Sequence, residues 1–168
     1  VGDVTIAAEL DGHSFLTPDG GPYESEDYIV IEAGVFGPAA KAISYADFSL
    51  RINGKKNVVA SRPFEFVAKS LKDPQWVPPD AGPESKSKTG ISSGGQGDAS
   101  KPPPPKMPFD LRHAMEQRAE KAWFPEGTRA LPQAGLLFFP YRGKIENIRS
   151  LELLYEGSAG KATINLQP

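Results

Sequence analysis

Residues 151–168 read LELLYEGSAGKATINLQP, and the spacing of their apolar side chains decides the fold. Leu151, Leu153 and Tyr155 alternate with Glu152, Leu154 and Glu156. Beyond Gly157-Ser158-Ala159-Gly160, Ala162, Ile164 and Leu166 alternate with Lys161, Thr163, Asn165 and Gln167. Successive side chains of a strand point to opposite faces, so this is the pattern of two half-buried strands joined by a longer hairpin loop. Working outward, the same period recurs in residues 4–10, 28–35, 48–53, 64–68 and 135–139, which makes seven strands. Asn53-Gly54, which follows Ile52, is the signature of a type I′ turn, because both of its central residues need positive φ.

One segment predicts a helix, over 110–123. Leu111, Met115, Ala119 and Trp123 recur every four residues, Asp110 is placed to cap the start, and Arg112 with Glu116 forms an i,i+4 pair. Pro125 and Gly127 stop it. The helix is expected across a sheet edge or the open end of a sandwich, anchored by Trp123.

The chain has 168 residues, with 17 Gly and 17 Pro, well above ordinary usage. Both residues interrupt helices, which excludes a coiled coil or long-helix protein. The excess is concentrated in residues 78–108, PPDAGPESKSKTGISSGGQGDASKPPPPKMP, which has too few large apolar residues to bury itself. It reads as a Pro/Gly/Ser-rich insertion loop within a single domain spanning 1–168. Lys+Arg is 19 against Asp+Glu 21, a net charge of −2, and no region is basic enough for a nucleic-acid footprint. There is no cysteine, hence no disulfide framework and no thiolate chemistry. The most apolar run, 28–40, is interrupted by Glu32 and is too short to span a bilayer. The opening Val1-Gly2-Asp3 suits a trimmed piece or a mature chain released from a signal peptide.

Catalytic patterns are absent: there is no G-x-S-x-G, Walker or dinucleotide fingerprint. His13 and His113 lack metal-ligand spacing. The acidic group Asp19, Glu24, Glu26 and Asp27 has no calcium-loop pattern and reads as a solvated loop. Glu32, Asp47, Glu65 and Glu152 lie on or beside strands; a glycosidase would need two such carboxylates facing one cleft, with Glu65 and Glu152 as examples. No catalytic residue, cofactor or metal is assigned. The candidate ligand-binding residues are Trp76, Tyr141 and Arg142, at predicted strand ends, where aromatic-plus-Arg patches bind proteins or carbohydrates. Trp76 has a second reading, as a side chain closing the bottom of the core. Residues 101–106, four prolines between two lysines, read as a spacer or as a polyproline ligand.

DFSLRING (47–54) and GLLFFPYRGKIENIRSLELLYEGSAGKATINL (135–166) resemble the telokin-like, immunoglobulin-fold domains of unknown function found in secreted and lipid-anchored bacterial proteins. The shared features are an Asp-Phe pair opening a strand that ends at Asn-Gly, a G-hydrophobic-FF-P strand, and a final SLEL-type hairpin. The insertion and the helix depart from that pattern. The resemblance implies a fold and a secreted or periplasmic compartment, and carries over no catalytic residue. The expectation is an all-β, immunoglobulin-like sandwich acting as a non-enzymatic binding or accessory module. The alternatives are a carbohydrate-active enzyme and a scaffold that docks a partner through its Pro-rich loop.

Overall fold

The computed structural model describes residues 2–79 and 105–168; most of the 78–108 stretch, Lys101 included, lies outside the described residues. In chain order the strands are β1 (Thr5–Gly12), β2 (Ser14–Leu16), β3 (Pro22–Ser25), β4 (Tyr28–Phe36), β5 (Lys41–Ile43), β6 (Phe48–Ile52), β7 (Val59–Ala60) and β8 (Leu71–Lys72). They continue with β9 (Gly127–Arg129), β10 (Gln133–Pro140), β11 (Leu151–Gly157) and β12 (Gly160–Leu166). Helix α1 covers Phe64–Val67 and α2 covers Phe109–Ala122. Strands dominate and the ladders are antiparallel, so the chain is all-β in character.

Two sheets pack face to face. One has the order β1-β4-β10, the other β12-β11-β6-β7. Their facing sides bury Ile29, Ile31, Val35, Leu137 and Phe139 against Phe48, Leu50, Leu151, Leu153 and Tyr155. Each such side chain removed from water stabilises the fold by roughly 1.5–3 kcal/mol before entropy is counted. The alternation seen in the sequence is the alternation between this core and the opposite face.

The opposite face of β4 and β10 is also covered in part. Val30, Leu136 and Phe138 pack with Met115, Ala119 and Ala122 of α2 and with Phe15, Tyr23 and Leu71 of a small β2-β3-β8 sheet. The helix therefore lies on the outer face of the central sheet, not across an edge or an open end. A strand buried on both sides loses its polar phase, which is why 28–36 and 135–140 read as nearly continuous apolar runs. Trp123, just past α2, stacks on Phe138 with ring centroids 4.2 Å apart, planes 1° from parallel, and Phe64 against its edge.

Three local expectations are corrected. Residues 64–68 form no strand: Pro63 opens α1, Val67 and Ala68 are consecutively buried and Phe66 is 64% exposed, so the Phe-x-Phe spacing was a chance period in a short run. The seventh strand of the two large sheets is the short β7 instead. In α2, Pro108 takes the cap position, Asp110 falls inside the first turn, and no side chain caps the helix. The 157–160 loop is tight, with Gly157 paired to Gly160 across two residues. Asn53 (φ 55°) and Gly54 (φ 64°) make the expected turn, closed by Lys55 N–H donating to the Ile52 carbonyl, although pairing resumes only at Val59.

Candidate functional site

Tyr141 and Arg142 are brought together where β10 ends. The Tyr141 N–H donates to the Asp27 carbonyl, and Arg142 Nε donates to Asp27 Oδ1 at 2.7 Å. The ring of His13 stacks on Tyr141, and its nitrogens lie within 2.8–3.1 Å of the Ser25, Tyr28 and Gly143 carbonyls. These contacts staple the loops between β1, β3, β4 and β10. Trp76 is not among these contacts. It sits in a turn whose N–H donates to the Asp73 carbonyl, is partly buried, and joins neither core among the described residues, so it does not close the bottom of the sandwich.

The acidic group before β4 is neutralised in part, since Glu26 pairs with Lys72 and Asp27 with Arg142. Asp47 accepts from the Ser44 N–H, completing a capping box for the one-turn helix at Tyr45–Asp47. Glu65 and Glu152 lie on different layers: Glu65 on α1 over the outer side of the central sheet, and Glu152 on β11, ion-paired to Arg51 at 2.7 Å. Among the described residues they line no common hollow. Among the described residues no three His, Asp or Glu side chains gather as a metal site.

A different acidic group does converge. Glu9 of β1 stands directly opposite Glu32 of β4 in the antiparallel ladder. The register slips between Leu10 and Gly12, so Asp11 is the extra residue of a bulge. Bulging leaves Asp11 beside Glu32, lining the same hollow. Burial, and behind it the charges of Glu32 and Glu9, raises the Asp11 carboxyl from its ordinary 3.8 to about 6. Among the described residues none of the three carboxylates has an ion-pair partner.

Glu32 is also where three open hollows meet on the uncovered part of the outer face. One, of about 310 Å³, runs past Ala7, Gly34 and Phe36. A second, of about 340 Å³, lies between Asp11, Phe15 and Pro22. The third, of about 290 Å³, reaches Leu136 and the end of α2 at Lys121 and Ala122. Small residues keep the floor low, and Leu16 (68% exposed) and Phe36 (47%) offer apolar contact at its margins. Beyond Lys121 a further hollow of about 450 Å³ is walled by Tyr45, Phe64 and Trp123 and rimmed by Glu65, Glu120 and Glu126.

Gly135 sets how these parts meet. A Cβ there would come within 2.5–2.7 Å of the backbone of Trp123 and Phe124, which leave α2 and run against β10, with Phe124 N–H donating to the Leu136 carbonyl. The sequence carries Glu9 and Glu32 on a polar phase and Asp11 at a turn. Their convergence depends on ladder register and on the docking of α2, neither of which has a local signal. No family model, curated protein or solved structure matches this chain.

Proposed function

We propose that this chain is an extracytoplasmic, non-enzymatic binding module on an immunoglobulin-like sandwich frame. It receives a cationic segment of a partner protein on the outer face of the β1-β4-β10 sheet. The observation that carries this reading is the trio Glu9, Asp11 and Glu32, which have no ion-pair partner among the described residues and line the hollows that meet at Glu32. Like charges placed opposite each other on paired strands cost stability. A bound ammonium or guanidinium group would remove that cost and gain charge-assisted hydrogen bonds. Seven strands in two facing sheets support the frame, and the 47–54 and 135–166 resemblance supports the compartment.

The test is an amide-shift titration of the full chain with a lysine-containing peptide and with the same peptide carrying glutamine for lysine. The lysine form should shift amides around Glu9, Glu32 and Ala134, less so as salt is raised, and Glu32→Gln should weaken the response. Shifts that map elsewhere, or that the glutamine form reproduces, would overturn the proposal.

A further inference from the structure

We infer that β12 pairs with β12 of a second copy of this chain, antiparallel and centred on Thr163, so that two protomers share one continuous sheet. This edge of the β12-β11-β6-β7 sheet is a different surface from the outer face of β1-β4-β10.

An open sheet edge is a row of unpaired N–H and C=O groups, which folds shield with bulges, short strands, charge or a covering segment. Three of the four edges of the two large sheets are shielded in this way. β1 is distorted by the bulge at Asp11. β10 is covered on its outer side: Trp123 bridges to Leu136, Phe124 N–H donates to the Leu136 carbonyl, and Arg62 N–H donates to the Phe138 carbonyl. β7 is only Val59–Ala60. The fourth edge, β12, runs unbroken from Gly160 to Leu166, and among the described residues its backbone hydrogen-bonds to β11 alone. Its one charge, Lys161, is paired with Glu156. Its core-facing side chains are also incompletely covered. Ala162 and Ile164 are half-buried, whereas Tyr155 and Leu153, opposite them on β11, are fully buried.

The occupant follows from the strand's own sequence, which is complementary to itself. A two-fold axis at Thr163, the midpoint of β12, sets Thr163 against its own copy, Ala162 against Ile164, and Lys161 against Asn165. Across the junction the core face reads Tyr155, Ala162, then Ile164 and Leu153 of the second copy, apolar throughout. The outer face reads Glu156, Lys161, then Asn165, Glu152 and Arg51 of the second copy, with no like charges adjacent. At the axis, Thr against Thr is a favourable cross-strand pair. A one-residue slip would oppose apolar to polar side chains, which fixes the phase of the pairing. The joined sheet ends in the short β7 on both sides, so association closes at two. The pairing spans only about 24 Å, which makes it a small interface and a weak, exchanging dimer.

The experiment is sedimentation velocity of the full 168-residue chain across micromolar to millimolar concentrations, where a shift from monomer to dimer is expected. Thr163→Lys and Thr163→Asp each place like charges opposite one another at the axis. Each should weaken the dimer at least about fivefold, with thermal midpoints confirming that both variants are folded. Mixing the two variants brings opposite charges together and should restore association to the parent level. A chain that stays monomeric at millimolar concentration overturns the inference. So does a dimer that neither variant weakens, or one that the mixture fails to restore.

Discussion

Glu9 and Glu32 are direct cross-strand partners on the open face of the central sheet, two like charges in one ladder position. Relieving that repulsion is expected to stabilise the protein: Glu9→Gln or Glu32→Gln should gain about 0.2–1 kcal/mol in urea denaturation, while weakening the response to a cationic peptide. A variant that is less stable and binds no worse would assign these residues a structural role in place of a ligand role.

Asp11 ties the same face to pH. Its folded-state pKa of about 6 lies above its ordinary 3.8, so the folded chain holds this proton more tightly than the unfolded one. The resulting stabilisation is fully present below about 3.8 and is lost as pH rises through about 6. Asp11→Asn should flatten that part of the stability profile and raise the thermal midpoint at pH 7 relative to the parent. Binding of a cationic peptide by the parent should strengthen across the same interval as the carboxylate ionises, and an affinity that does not change there would count against Asp11 as a ligand group.

Gly135 meets backbone on its open side, and backbone cannot swing away as a side chain can. Gly135→Ala should cost about 3 kcal/mol, the upper end of the usual overpacking range. It should also loosen the Trp123–Phe138 stack, visible as a change in tryptophan fluorescence. A neutral result would show that the Trp123–Phe124 segment shifts freely on β10.

Asn53 combines a turn conformation with tethering. Its Oδ1 accepts from the Arg149 N–H at 2.6 Å and the Ser150 N–H at 3.3 Å, and its Nδ2 donates to the Asn147 carbonyl. Asn53→Ala loses these bonds and strains φ, so roughly 1–3 kcal/mol should be lost. Asn53→Gly keeps φ unstrained and should cost about 1 kcal/mol less in the same measurement. Equal losses for the two would mean that the tethers alone hold the turn.

Much of the fold is legible in local pattern. The alternation in 4–10, 48–53, 151–156 and 161–167 is a direct image of one buried and one open face, and Asn53-Gly54 announces its turn because few residues adopt positive φ cheaply. The pattern misled where it was short: two phenylalanines at 64 and 66 imitate a strand, whereas Pro63 and the buried Val67-Ala68 pair make a helical turn. Of the candidate ligand residues, Tyr141 and Arg142 are neighbours in sequence and in space, while Trp76 is not among their contacts.

By itself, the sequence determined the six longest strands, the turn at Asn53-Gly54 and which face of most of those strands is apolar, because those properties repeat within a few residues. Only the tertiary structure decided that α2 covers the outer side of β4 and β10, and that a bulge at Asp11 aims a third carboxylate at Glu9 and Glu32. It likewise placed Lys121 of α2 beside residues of β2, β4 and β10, which are far apart in sequence. Register and layer packing minimise the free energy of the whole core, so the position of any one polar side chain is set by contacts that its own neighbourhood does not contain.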